Sequence, residues 1–257
     1  MNITCQYIGH ATTLIKIGQT CFLTDPNFSN RVLFFKRQVK LTPAPNELPK
    51  IDTILISHVH FDHLDFNSYK YISVNVPIIV PESCYKLLAK YLPNPVTELG
   101  LFATHNLRDG SKITAVTARH RGGRLSHLRY TTTNSYLIQK DGCTVFFCGD
   151  SGYGPHFKEI ANLAKIDLAL LPIANYEPQW FMKTRHMKPG EAVQAFEDLK
   201  AKWMIPIHWG TFKLSAEPLN QPLKLLDKII AERPSLKDKI HILPHGQEIT
   251  LRPKPTS

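Results

Sequence analysis

Short apolar or alternating runs of four to six residues recur along the chain, separated by turn-forming or charged residues. Runs of this length and pattern are typical of buried strands. They predict nine strands, at Thr12–Ile17, Cys21–Thr24, Thr53–Ser57, Val76–Val80, Lys112–Thr117, Ser135–Gln139, Thr144–Cys148, Leu168–Pro172 and Trp203–Ile207. Tight turns at Gly18-Gln19 and Asp141-Gly142 indicate that the strands on either side of each turn are paired.

Helical patterns lie between these runs. They predict helices over 82–92, His156–Leu163, the stretch that follows Lys188, and Leu223–Arg233. Pro189 at an early helical position and Glu191 in the first turn favour a helix start there. Because strand-rich and helical stretches alternate irregularly, the pattern favours two hairpin-rich sheets with helices outside them over a parallel doubly wound sheet.

The composition is that of an ordinary globular protein. With 257 residues, 43% hydrophobic residues and no evident repeat or long linker, the chain is predicted to form one domain over residues 1–257. Segment 26–51, with four prolines, is expected to be a long surface loop near the site. No apolar run approaches the ~18–20 residues of a membrane span. The N-terminus lacks the pattern of a signal peptide, and five scattered cysteines without CxxC spacing indicate reduced thiols in a cytoplasmic protein.

The chain is basic, with a formal net charge of +10 and a pI near 9.4. A solvated basic surface explains such a charge, and so does an anionic partner, whether a small substrate, a nucleic acid or an acidic membrane surface. Composition alone does not choose among them.

The stretch ISHVHFDHLD, residues 56–65, places three histidines and two aspartates directly after an apolar run. Alternate residues of an extended segment share a face, so His58 and His60 can converge on one point. Asp62 and His63 follow a turn and can face a second point nearby. One metal ion would not need all four side chains, whereas two ions would use them all.

Further candidate ligands stand at the ends of apolar runs: ITAVTARH ends at His120, TVFFCGD ends at Asp150, and MIPIHWG contains His208. A rigid sheet edge can hold ligands from distant positions. The predicted arrangement gives the first metal His58, His60 and His120, and the second metal Asp62, His63 and His208. Asp150 and a hydroxide bridge both, and Asp62 and Asp150 are the predicted catalytic carboxylates. Nitrogen and carboxylate ligands without cysteine suit Zn²⁺, and also iron or manganese.

The series His58, His60, Asp62, His63, with His120, Asp150 and His208 after it, resembles the metallo-β-lactamase superfamily. The resemblance implies an α/β fold of the αββα type, in which two facing mixed sheets are flanked by helices and the dinuclear site lies at one edge.

A narrower resemblance extends from about residue 7 to about residue 246. Its segments are Gly9–Thr12, Thr24–Arg31, Gly149–Tyr153, Tyr176–Lys183, His186, Pro189 with Glu191–Val193, and Ile207–Phe212. In this order they are similar to N-acylphosphatidylethanolamine-hydrolysing phospholipase D and its bacterial relatives. The resemblance implies that Asp25 supports the metal site and that His186 lines the substrate pocket near the phosphate. The chain departs from the family in starting almost at the Gly9–Thr12 segment and in lacking a Trp-containing strand after His120.

A metal-bridging hydroxide is available at neutral pH and can attack a phosphodiester phosphorus. We therefore expect a phospholipase D-like phosphodiesterase. The same site could open a lactone or an amide in a soluble anionic metabolite. A nuclease is disfavoured because no extra substrate-clamping segment is evident, and the full ligand set argues against a non-catalytic binding protein.

Several other residues have two interpretations. Asp25 could instead cap a turn before Pro26, and His10 is equally well explained as a structural or a supporting residue. Tyr176 and Trp180 belong either to the core or to an apolar pocket wall, and the wall is slightly favoured because they precede His186. Arg121 is one of several arginines, with Arg119, Arg124 and Arg129, that surround His120 in the sequence. They could bind phosphate oxygens or solvate a loop.

The segment around 31–40 contains four apolar residues between basic ones. It is either a loop packed on the body or a flap that touches lipid headgroups or an anionic substrate, as in a peripheral membrane contact.

Overall fold

The computed structural model describes residues 1–124 and 132–253, and the ranges below refer to these residues. The strands are β1 Ile3–Gly9, β2 Thr12–Ile17, β3 Thr20–Thr24, β4 Arg31–Val32, β5 Phe35–Lys36, β6 Thr53–Leu55, β7 Ile78–Pro81, β8 Val96–Leu99, β9 Thr104–Asn106, β10 Lys112–Thr117, β11 Asn134–Lys140, β12 Cys143–Phe147, β13 Leu168–Pro172, β14 Trp203–Ile207 and β15 Glu248–Leu251. The α-helices are α1 Tyr85–Tyr91, α2 His156–Ile160, α3 Gln179–Met182, α4 Pro189–Asp198 and α5 Gln221–Glu232.

Two mixed sheets form the centre of the fold. The first has the order β15-β1-β2-β3-β6-β7-β8 and the second β14-β13-β12-β11-β10-β9. In both, an antiparallel part continues into a parallel part: β3, β6, β7 and β8 run parallel, as do β12, β13 and β14. The carboxyl ends of the parallel strands lie together at one edge of each sheet. The candidate ligands come from the segments that follow the parallel strands β6, β12 and β14 and the antiparallel strand β10.

The alternation of side chains along the strands explains the layers. Ile15 and Phe22 of the first sheet face the second sheet in the larger core cluster, whereas their neighbours Leu14 and Leu23 face outward into another cluster. The outward cluster is covered by the 3-10 turn Phe66–Tyr71 and by α1. Because both faces of the central strands are buried, β3 and β12 are apolar or small at every position.

Helix α4 covers the outer face of the second sheet through Val193 and Phe196, and α5 packs against α4. The first turn of α4 contains Pro189 and Glu191, as predicted, and the Glu191 carboxylate accepts a hydrogen bond from the Lys188 backbone N–H. The layers are therefore helix, sheet, sheet and helix, and the predicted αββα fold is confirmed.

All nine predicted strands are present, with β7 shifted to Ile78–Pro81 because Val76 closes a turn onto the carbonyl of Ser73. The predicted turns at Gly18-Gln19 and Asp141-Gly142 connect antiparallel pairs. The sequence pattern did not predict β1, β15, β8 and β9, nor the small β4–β5 hairpin. The predicted helices are present. Helices α1 and α2 are shorter than predicted, whereas α5 begins two residues earlier, at Gln221, and ends one residue earlier, at Glu232. The short helix α3 was not predicted.

The prediction of a long surface loop over 26–51 is wrong for its first part. Asn27 and Phe28 are buried, and the backbone N–H of Phe28 donates to Ser68 Oγ. The β4–β5 hairpin and a 3-10 turn at Pro45–Glu47 follow. The segment is thus anchored to the body beside Asp25 before it reaches the surface.

All five cysteines are buried and free, and burial raises the pKa of the Cys5 thiol to about 12. The described helices include none that is both long and apolar enough to cross a membrane.

Candidate metal centre

Three imidazoles converge at the edge where β6 and β10 end. His58 Nε2 lies 2.9 Å from His60 Nδ1, and His120 Nε2 lies 3.2 Å from the same atom. His58 comes from the segment after β6 of the first sheet, and His120 from the segment after β10 of the second. The structure therefore brings together the three residues predicted for the first metal.

The hydrogen bonds made by the outer ring nitrogens of His58 and His120 show which nitrogen of each ring carries the hydrogen. His120 Nδ1 donates to the carbonyl oxygen of Arg185 over 3.0 Å. His58 Nδ1 lies 2.9 Å from Ser57 Oγ, whose own hydrogen goes to Asp25. Since each neutral imidazole has one N–H, both Nε2 atoms point a lone pair at the centre.

A second group adjoins the first. The Nε2 atoms of His63 and His208 are 3.2 Å apart, and Asp62 Oδ2 lies 3.5 Å from each. His63 and Asp62 come from the loop after β6, and His208 follows β14. The predicted second set is thus also gathered, and His10 Nε2 lies in the same group.

Asp150 lies between the two groups. Its Oδ2 is 3.2 Å from His63 Nε2 and 3.9 Å from the Nε2 atoms of His58 and His120, and its Oδ1 is 3.1 Å from His208 Nε2. Although burial favours the neutral acid, the imidazoles of His208 and His63 hold the pKa of Asp150 well below its usual range. A buried carboxylate that reaches both groups can be shared by two cations.

The turn that presents Asp150 requires a glycine. Gly149 has φ +61°, and a Cβ there would stand 2.4 Å from Ser57 Cβ. The close approach of Gly149 to Ser57 brings the end of β12 against the end of β6, so the two sheets meet directly beneath the site.

Asp25 and Ser57 form the floor of the site. Asp25 is fully buried and its Oδ2 accepts from His63 Nδ1 over 2.6 Å and from Ser57 Oγ over 2.5 Å. Burial raises the pKa of Asp25 and these donors oppose it. Asp25 therefore directs the Nε2 lone pair of His63 inward, which is the placement expected of a supporting residue. Ser57 was missed by the sequence analysis, although it directly precedes the histidine motif.

His186 lies beside the centre. Its Nδ1 is 3.8 Å from Asp150 Oδ2, and among the described residues this buried atom has no hydrogen-bond partner. Its ring is 5.0 Å from that of His120. Tyr176 is buried ten residues earlier. The contact of His186 and Tyr176 with the substrate stays a prediction.

Trp180 and Arg121, unlike His186 and Tyr176, are exposed at the surface. Trp180 is 87% exposed on α3 and its ring contacts that of Phe181, so it lines no enclosed wall in the described part of the chain. Arg121 is exposed, and Arg119 donates to the carbonyl of Tyr153. Arg129 lies outside the described residues. Arg124 stacks 3.8 Å over the Phe61 ring, directly above the histidine motif.

The donor set fits metal ions. Ligand atoms on a tetrahedral ion with bonds of about 2.0–2.1 Å are about 3.3 Å apart, close to the 2.9–3.2 Å between the facing nitrogens here. Burial lowers the pKa of His120 to about 4, so its ring is neutral, as ligation requires. His63 is surrounded by Asp25, Asp62 and Asp150, which hold its pKa well above its usual range against the effect of burial. A cation beside it would offset this negative charge.

This fold and this group of histidines and aspartates define a metal-dependent hydrolase. A sequence model of the Beta-lactamase superfamily domain matches residues 20–209, and the chain belongs to the metallo-β-lactamase superfamily. A possible metal-dependent hydrolase from Veillonella parvula shares the fold, with a TM-score of 0.80 at 17% identity over 96% of this chain and 99% of that one.

Within the superfamily the chain is similar to named phospholipases. It is 33% identical to N-acyl-phosphatidylethanolamine-hydrolyzing phospholipase D 1 of Caenorhabditis elegans over 90% of this chain and 71% of that protein. It is 33% identical to the mitochondrial protein of that activity from Saccharomyces cerevisiae over 88% of this chain, but spans only 53% of that protein. A metal-dependent hydrolase of Pyrobaculum islandicum is 30% identical over 81% of this chain and 85% of its own length.

Proposed function

We propose that this chain is a dinuclear metal-dependent phosphodiesterase of the phospholipase D type. The observation that carries the proposal is the buried Asp150 carboxylate. Its Oδ1 lies 3.1 Å from His208 of the second group, and its Oδ2 lies 3.2 Å from His63 of the second group and 3.9 Å from His58 and His120 of the first. One cation takes His58, His60 and His120, the other takes Asp62, His63 and His208, and Asp150 is shared. The donors suit zinc, and they would also accept iron or manganese.

Two cations held in this way would activate a water molecule at neutral pH and neutralise charge that develops on a phosphoryl oxygen. The protein contributes the orientation of the groups around them. Asp62 and Asp150 supply the negative charge of the site, and Asp25 and Ser57 hold the rings of His63 and His58 in place. His186, whose buried Nδ1 has no hydrogen-bond partner in the described part of the chain and lies 3.8 Å from Asp150 Oδ2, would contact a non-bridging oxygen of the phosphate.

The proposed substrate is an anionic phospholipid, with N-acylphosphatidylethanolamine as the first candidate. The names of the worm and yeast relatives support this choice. The net charge of +10 favours an anionic substrate over a neutral one.

The test measures hydrolysis by the chain before and after chelation and after return of zinc, iron or manganese. The substrates are N-acylphosphatidylethanolamine in mixed micelles, an aryl phosphodiester and a panel of lactones. We expect metal-dependent cleavage of both diesters, its loss in His58→Ala, and full activity in the control His105→Ala on β9, away from the site. Cleavage of lactones alone would replace the phosphodiesterase with a lactonase, and metal uptake without cleavage of any substrate would indicate a binding protein.

We further propose that the edge of the site meets a lipid surface. The β4–β5 hairpin presents Phe34, 89% exposed, between Leu33 and Phe35, which are also exposed, while Val32 below them is buried. Directly after this hairpin the Gln38 N–H donates to the carbonyl of Thr211, three residues past His208. The apolar tip is therefore attached to the segment that carries a candidate ligand.

A second apolar tip lies on α3, where Trp180 is 87% exposed. Three residues after α3, the carbonyl of Arg185 accepts the hydrogen bond from His120. Exposed basic residues accompany both tips: Arg31, Lys36 and Lys40 near the hairpin and Lys183 and Lys188 near α3. Aromatic tips beside basic side chains are suited to an anionic bilayer surface.

Replacing Phe34 and Trp180 together by serine should weaken binding to anionic phosphatidylglycerol vesicles about 100-fold or more, because each aromatic ring buried in the interface contributes about 1.5–3 kcal/mol. Cleavage of a water-soluble aryl diester should not change, since neither side chain contacts the metal-binding groups. Sedimentation with vesicles measures the first quantity. Unchanged vesicle binding in the double variant, or equal binding of the wild type to neutral vesicles, would contradict the lipid-surface proposal.

A further inference from the structure

Two backbone turns from opposite sheets meet beside the second group of candidate ligands. One turn holds Gly9 and His10 between β1 and β2, and the other follows β14 at His208. The His208 N–H donates to the carbonyl of His10 over 2.7 Å, and the His10 N–H donates to Thr211 Oγ1 over 2.7 Å. Each turn thus fixes the other across the two layers.

Both turns hold their histidine in the left-handed region, with φ 57° at His10 and φ 63° at His208. This conformation is uncommon for residues other than glycine and persists where the surroundings enforce it, often at functional sites. Here its effect is to direct both imidazoles into the same space, where their ring centroids are 3.8 Å apart.

The His10 side chain also reaches Asp62. The ring is buried, its Nε2 lies 2.8 Å from Asp62 Oδ2, and the edge of Phe212 packs against it with ring centroids 5.4 Å apart. Because an ionised carboxylate only accepts hydrogen bonds, the hydrogen stands on Nε2 and His10 is the donor.

We propose that His10 is a positioning residue for the ligands of the second cation. It holds Asp62 through a hydrogen bond and His208 through ring and backbone contacts. The inference rests on the proposed dinuclear centre. His10 connects Asp62, in the loop after β6 of the first sheet, with His208, which follows β14 of the second sheet. His10 therefore sets the distance between these two ligands. In the described part of the chain, the contacts of His10 include none with His58, His60 or His120 of the first group.

The contact of His10 with Asp62 has the geometry of a hydrogen bond. The separation of 2.8 Å between His10 Nε2 and Asp62 Oδ2 is that of a charge-assisted hydrogen bond. The hydrogen that this contact requires on Nε2 leaves that atom no lone pair for a metal ion. Partners of this kind that orient a ligand change metal affinity by about 10–100-fold when they are removed.

The test is a metal titration that does not depend on turnover. Wild type, His10→Ala, His10→Gln and the control His105→Ala are freed of metal and titrated with Zn²⁺ against a competing chelator, and with Co²⁺ by visible absorption. In His10→Ala we expect the first equivalent to bind as in wild type and the second to bind about 10–100-fold more weakly. In His10→Gln, whose side-chain amide can still donate to Asp62, we expect the second affinity to recover in large part.

Other outcomes overturn the proposal. Equal weakening of both equivalents in His10→Ala would mean a general structural role, and unchanged affinities would mean none. Loss of the second equivalent in His10→Gln as well, with a Co²⁺ spectrum of lower ligand number, would identify His10 as a direct ligand. If His10→Ala does not fold, the comparison of His10→Gln with wild type decides between donor and ligand. Since the wild type is titrated in parallel, a chain that binds two cations but cleaves no diester would refute the proposed function and leave the role of His10 standing.

Discussion

Replacement of Asp150 by asparagine is expected to lower metal-dependent hydrolysis about 10³-fold. The change removes a carboxylate that lies near histidines of both groups, and with it a buried negative charge between two proposed cations. A loss of about 4 kcal/mol in the stabilisation of the reacting centre corresponds to that factor. The measurements are kcat/KM on an aryl phosphodiester at saturating zinc and the number of zinc equivalents bound at limiting zinc.

A matched control for this prediction is Asp141→Asn. Asp141 lies in the turn between β11 and β12, at the opposite end of the strand that leads to Asp150, and its positive φ of 49° suits asparagine. This variant should bind and hydrolyse as the wild type does. An Asp150→Asn protein that keeps two tightly bound equivalents and loses less than tenfold in kcat/KM would show that the carboxylate is not shared between two ions.

The replacement of Asp25 by alanine should have the second large effect, on both metal affinity and stability. Asp25 is fully buried and accepts hydrogen bonds from His63, from Ser57 Oγ and from the Ser57 N–H. Removal of one partner from such a buried set costs about 3–5 kcal/mol, and loss of an outer partner of a ligand weakens metal binding about 10–100-fold. Urea unfolding of the metal-free proteins measures the first quantity and chelator competition the second.

The control for Asp25→Ala is Asp227→Ala, which removes an exposed carboxylate from α5 and should change the free energy of unfolding by less than about 0.5 kcal/mol. The interpretation of Asp25 as a cap of the turn before Pro26 makes a different prediction. A cap contributes about 1 kcal/mol to stability, and its removal would leave the metal affinity unchanged.

The central strands could be predicted from the sequence because they are buried on both faces. An uninterrupted apolar run such as that of β13 has one explanation, whereas edge strands have no such pattern. β8 and β9 are half-buried or exposed at most positions, and β15 is recognisable only by its pairing with β1, more than 240 residues away. The pattern of the edge strands is set by their partners and not by their own residues.

The candidate ligands were also accessible to sequence analysis, because each follows an apolar run and because imidazole and carboxylate have a distinctive chemistry. Their supporting partners were less accessible. Ser57 is an ordinary residue whose role depends on Asp25, 32 positions earlier. His10 could not be assigned because its partners Asp62 and His208 lie far away in the chain. The exposure of Phe34 and Trp180 likewise depends on how the segments around them are anchored.

The meeting of the two sheets beneath Gly149 and Ser57 has a consequence for the life of the protein in the cell. In the proposed arrangement each cation is held by side chains of both layers, so metal uptake would fasten the halves of the sandwich together and raise the resistance of the chain to unfolding. Under metal starvation we would then expect the protein to be degraded by proteases as well as to lose its hydrolytic activity. Its abundance would follow the supply of metal in the same way as its catalysis.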